Sequence, residues 1–146
     1  MPQKTDEQQS ALKKFRSNFP KVAKPVINAE LPNSLAKLSS EKLSDLMNVY
    51  TAWREYTEDL LIEALAAFTK CKEYYEFERD KKYLALGKTT NAVKDATLNI
   101  DEDLRKYQLP LTDAELYYDL LSNKLESYTN CLTVISREIT RRQQVA

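Results

Sequence analysis

Residues 38–87 decide the fold: LSSEKLSDLMNVYTAWREYTEDLLIEALAAFTKCKEYYEFERDKKYLALG. No proline interrupts them, and the glycine that closes them, Gly87, is the only one in 146 residues. Ser39 followed by Glu41 predicts a helix start, with Leu38 stapled to Leu43. Apolar residues then recur at Leu43, Leu46, Met47, Tyr50, Trp53, Leu60, Leu61, Ala64, Ala67, Phe68, Cys71, Tyr74 and Tyr75. Steps of three and four put them on one face of one helix. Such a helix is about 70 Å long, and its stripe implies a coiled-coil partner.

The GKTT that begins at Gly87 resembles the end of a phosphate-binding loop. That loop needs a first glycine at position 82, where Lys82 stands, and a buried strand before it. The charged FERDKKYLAL precedes it instead. Gly87 therefore predicts a left-handed helix end, with Lys81 and Lys82 in a favourable last turn.

Beyond Gly87 the chain stays helical in character. Residues 87–111 form a connector, with a short helix in TTNAVKDATL and another capped by Asp101 and stopped at Pro110. Thr112 and Glu115 form a capping box that opens the last helix. Its stripe is Leu116, Leu120, Leu121, Leu125, Tyr128, Cys131, Leu132, Ile135 and Ile139, ending near Arg142. The expected fold is all-α: a long antiparallel helical hairpin with a short helical connector, assembling into a homo-oligomer. The first helix is expected to outrun the second. Leu43, Met47, Tyr50, Trp53, Leu60, Leu61 and Phe68 then become the candidate oligomer interface.

Residues 1–38 differ. They hold four of the five prolines, seven basic and three acidic residues, and a net charge of +4. Apart from a possible short helix in QQSALKKFRSNF, they read as an extended or partly disordered arm, basic in function or a plain tether. The helical hairpin domain is 39–146.

Composition excludes much chemistry. There is no histidine, hence no Ser–His or Cys–His pair, and the commonest zinc ligand is missing. Cys71 and Cys131 sit on apolar faces and read as reduced, packed thiols. The carboxylates Glu55, Glu58, Asp59 and Glu63 lie opposite the stripe and read as a solvated face. No catalytic residue, metal, cofactor or small-molecule substrate is expected. Basic and acidic residues balance at 22 each, so attraction to a charged partner must be local. No apolar run is long enough for a membrane span, and a cytoplasmic protein is expected.

Two local features carry a binding hypothesis. Residues 70–88 interleave Lys70, Lys72, Arg79, Lys81, Lys82 and Lys88 with Tyr74, Tyr75, Phe77 and Tyr83. Single-stranded nucleic acid is held by such cations and rings. The same residues equally suit a packed, self-neutralised helix, with Glu73, Glu76, Glu78 and Asp80 as partners. At the C-terminus, Arg137, Arg141 and Arg142 either favour the helix dipole or form a phosphate or carboxylate site.

Together, YTAWREYTEDLLIEALAAFTKCKEYYEFERDKKYLALGK and DLRKYQLPLTDAELYYDLLSNKLESYTNCLTVISRE resemble the phage recombination mediators of the UvsY type, over residues 40–142. The resemblance implies Lys72, Tyr74, Tyr75, Arg79, Lys82 and Lys88 as contacts to single-stranded DNA. It also implies a ring-like homo-oligomer that binds DNA without sequence preference. Such a protein helps a RecA-like recombinase displace the single-strand-binding protein in the host cytoplasm. The alternative is a non-catalytic helical interaction protein, such as a phage structural or scaffold component or an inhibitor of a host protein.

Overall fold

The computed structural model describes residues 2–145, as four α-helices and one 3-10 turn with no strand among them. In chain order these are α1 (Pro2–Asn18), the 3-10 turn Leu35–Lys37, α2 (Ser40–Ala85), α3 (Asn91–Asn99) and α4 (Glu102–Val145). The chain divides into two units, through both of which α2 and α4 run.

Each boundary has a local cause. Ser39 caps α2, its Oγ accepting from the Lys42 amide at 3.2 Å. Leu38 packs on the cluster that contains Leu43, which is the expected staple. Gly87 ends α2 with φ 71°, a region open to glycine at no steric cost. Thr90 caps α3 through the Val93 amide at 3.3 Å, and Asp101 caps α4 through the Leu104 amide at 3.0 Å.

One unit comprises Phe19–Ile62 and Leu120–Ala146. Its core is Leu43, Tyr50, Tyr128, Leu132 and Ile135, with Leu43 and Ile135 0% exposed. Tyr50 meets Tyr128 edge-on at 6.0 Å, and Arg142 reaches Ser40, so α2 and α4 run antiparallel here. Burial pushes the Tyr50 phenol up to about 12, with the Cys131 thiol beside it adding to the effect. Ahead of α2, residues 19–34 lie along the helices without regular structure. Val22 donates its amide to Asp59 Oδ2 at 3.3 Å, and Trp53 Nε1 donates to the Ile27 carbonyl at 2.6 Å. Ala29 and Leu35 pack on the core.

The other unit comprises Met1–Asn18 and Glu63–Asp119. Phe68 stacks on Tyr118 at 6.1 Å, and Leu98 and Leu104 are buried. Arg16 of α1 reaches Glu63 at 3.4 Å.

Several expectations change. A helix spans Pro2–Asn18, longer than the short one expected inside an extended arm. Asp59 is buried and Glu63 is ion-paired, so the acidic face is not uniformly solvated; both partners come from residues 1–38. Pro110 does not stop a helix, because α4 runs through it. Proline removes one backbone bond, but residues 105–110 are all exposed, so water can solvate the carbonyl left free. Thr112 is consequently mid-helix and not a cap, its hydroxyl donating to the Gln108 carbonyl at 3.0 Å.

With α4 continuous, α2 and α4 are 46 and 44 residues long, so α2 does not outrun its neighbour. Of the residues expected at an oligomer interface, Leu43 and Tyr50 are already buried within the chain. Met47 and Trp53 pack on the same core, Phe68 is stacked on Tyr118, and Leu60 and Leu61 are half-buried. Conversely, Leu116 and Leu120, expected in the stripe, are 58% and 57% exposed. The inner row of α4 passes through Leu104, Leu111, Ala114, Tyr118 and Leu121. Leu116, two residues before Tyr118, lies about 200° away around the helix.

Candidate nucleic-acid interface

The aromatic-basic stretch at the end of α2 has two faces, and the helical period separates them. Arg79, Lys82 and Tyr83 turn toward α3 and the start of α4. Arg79 Nη2 meets Asp95 Oδ1 at 3.3 Å. Lys82 Nζ donates to both Asp101 carboxylate oxygens at 3.0 Å and to Asp103 at 3.3 Å. The Asp101 carboxylate raises the Lys82 pKa above its ordinary value. In return, the Lys82 ammonium and the Leu104 amide hold the Asp101 carboxyl below its ordinary range. Tyr83 donates its hydroxyl to Asn91 Oδ1 at 2.6 Å, and the Lys94 ammonium lies over its ring at 4.5 Å.

Lys82 occupies the heptad position where the apolar stripe of α2 gives out. The stripe does not end there in an open surface. It continues as a polar contact, because α4 presents Asp101 and Asp103 opposite it. Lys82, Arg79 and Tyr83, all expected to contact DNA, thus hold the connector against α2.

The opposite face is open. Lys70, Tyr74, Phe77, Lys81 and Leu84 follow at steps of three and four, which aligns them in one row of α2, and Lys88 comes just past the break at Gly87. Tyr74 is 43% and Phe77 37% exposed, and Lys70 and Lys88 make no ion pair among the described residues. Lys81 sits over the Phe77 ring at 5.7 Å and pairs with Glu78 at 3.3 Å, an exposed contact of little strength. Phe77 belongs to the aromatic-basic stretch but not to the DNA contacts that the resemblance implies, although its place seven residues after Lys70 puts it in the row. Lys72 is exposed outside this row, and Tyr75 is half-buried.

The C-terminal arginines do not act as a set. Glu138 takes Arg141 at 2.8 Å and Arg142 at 3.0 Å, and the two guanidinium groups hold its carboxyl down to about 2. Arg142 also donates to the Leu35 carbonyl at 3.0 Å, tying α4 to the 3-10 turn. Arg137 alone of the three makes no ion pair among the described residues.

Both thiols are free and half-buried. No group of His, Cys, Asp and Glu that could hold a metal occurs among the described residues, and no helix of theirs is long and apolar enough to cross a membrane. No protein-family model, curated protein or solved structure matches the chain.

Proposed function

We propose that the protein is a non-catalytic recombination mediator. It binds single-stranded DNA without sequence preference and assists the loading of a RecA-like recombinase against the single-strand-binding protein. The observation that carries DNA binding is the outward row of Lys70, Tyr74, Phe77 and Lys81 on α2, with Lys88 just past its end. Its ammonium groups can pair with phosphates and its rings are exposed for bases to stack on. The recombinase and the displaced protein enter through the sequence resemblance. A homo-oligomer repeats the row and adds weak contacts through multivalency. Exposed apolar residues on α4, Leu109, Leu116 and Tyr117, support such an assembly.

A second reading, a helical interaction protein without DNA binding, is favoured by the neutralisation of Arg79 and Lys82 by acids of the connector. One experiment separates the two. Fluorescence anisotropy with labelled oligothymidine is measured over a salt series, with oligomer mass followed by light scattering. Binding should weaken with a slope of about 0.7 per phosphate neutralised. The double change Lys81→Ala and Lys88→Ala should lower that slope. Phe77→Ala should cost about 1–3 kcal/mol of affinity. Lys82→Ala should act on the connector and leave the slope alone. No binding at low salt by the intact assembly decides for the interaction protein.

A further inference from the structure

Beside the core of the Phe19–Ile62 and Leu120–Ala146 unit, a cleft of about 410 Å³ opens between α2 and α4. Its polar lining is Thr51 and Arg54 from α2 and Thr129, Thr133, Ser136 and Arg137 from α4. We propose that this cleft is an anion site whose ligand is an oxyanion of the phosphate class, held between Arg54 and Arg137.

Charge is the first ground. Two guanidinium groups line the cleft and no carboxylate does. Glu138, the acid next to Arg137, is committed to Arg141 and Arg142. Glu58 forms an i,i+4 ion pair with Arg54 Nε at 3.9 Å, too long for a hydrogen bond and, at this exposure, of little strength.

An unmet donor is the second ground. Arg54 Nε is buried and has no hydrogen-bond partner, which is costly for part of a cation. The Arg54 side chain as a whole is 36% exposed, so its other nitrogens remain accessible. An oxyanion held by the accessible nitrogens satisfies the stranded donor once the side chain turns its Nε–Nη edge into the cleft.

Hydroxyl chemistry is the third. Thr129 and Thr133 spend their protons on the Leu125 and Thr129 carbonyls at 3.0 Å. Thr51 and Ser136 make no such bond among the described residues, so their hydroxyls can donate. Donors therefore come from both walls. A planar carboxylate offers two oxygens in one plane, whereas a tetrahedral phosphate directs oxygens to both walls at once. Arginine's fork suits that geometry.

The test is heteronuclear NMR, following the arginine Nε–H signals and the Thr51 and Ser136 amides at constant ionic strength. The probes are inorganic phosphate, dimethyl phosphate and acetate. Saturable shifts of the Arg54 Nε–H with either phosphate, stronger than with acetate, are the expected result. Preference for dimethyl phosphate assigns the natural ligand to a diester backbone, and preference for inorganic phosphate to a terminal or free phosphate. Arg137→Gln, on the exposed wall, should weaken binding about tenfold or more, the equivalent of one charge-assisted hydrogen bond. Arg54→Lys should also weaken it, because a point charge replaces the fork. The proposal is overturned by unsaturable shifts, by acetate binding as tightly as phosphate, or by affinity unchanged in both variants.

Discussion

Ile135→Ala tests the packing of α2 on α4 where it is most complete. Ile135 is 0% exposed and belongs to a cluster with Leu43, Tyr50, Tyr128 and Leu132. The substitution removes three carbons, worth about 2.4 kcal/mol at about 0.8 per buried methylene. A cavity term adds to this, and buried large-to-small changes of this kind cost about 2–5 kcal/mol. Two of its neighbours are aromatic rings, which have few ways to collapse into the space. The expected loss is therefore in the upper half, about 3–5 kcal/mol, against a typical domain stability of about 5–15. Urea unfolding followed by circular dichroism measures it, with the midpoint falling and the slope unchanged. Val26→Ala is the control, and should stay within about 0.5 kcal/mol for a residue 97% exposed. A loss below about 1 kcal/mol for Ile135→Ala refutes the packing. An equal loss for Leu116→Ala, on the open face of α4, shows that a second chain covers that face.

Two further outcomes follow from particular contacts. Glu138 has its pKa lowered from 4.5 to about 2 in the folded chain, so the contribution of its arginine pairs is complete above the unfolded value and is lost as pH falls through the folded one. NMR titration of its carboxyl should give that low midpoint in the native protein and an ordinary one in urea; an ordinary midpoint in both removes the Arg141 and Arg142 pairing. Pro110→Ala restores a backbone donor inside α4 and should stabilise the fold by up to the roughly 3 kcal/mol that separates the two residues mid-helix, read as a rise in melting temperature. A fall in melting temperature would mean that Pro110 is needed where it stands.

What the sequence made legible was local. Ser39, Asp101 and Gly87 mark helix ends through bonds and dihedrals within a few residues, and the structure places them there. The spacing of Leu43, Tyr50, Tyr128, Leu132 and Ile135 likewise found the core. Leu116 and Leu120 show the limit: their spacing fits a helical stripe, but α4 carries its covered row through Leu111, Ala114 and Tyr118. The site was harder for the same reason. Arg79 and Lys82 find acids 16 and 19 residues onward, a distance that depends on how the connector folds back. Arg54 and Arg137 stand on different helices, and no short motif links them. Asp59 looked like surface because its partner, the Val22 amide, belongs to a segment whose route has no periodic signature.

Residues 19–36 are fastened in an asymmetric way. The side chains that hold them belong to the long helices: Asp59 takes the Val22 amide, Trp53 donates to the Ile27 carbonyl, and Arg142 donates to the Leu35 carbonyl. What they grip is main chain, which nearly every amino acid supplies alike. Val26, 97% exposed, and its neighbours can thus be exchanged with little effect on the path, proline at position 22 being the clear exception. The address of the segment is written in Trp53, Asp59 and Arg142. Ala29 and Leu35, which pack on the core, are constrained, but exposed letters such as Val26 can drift, or be rewritten with a tag or an epitope, while the helices keep the segment in place.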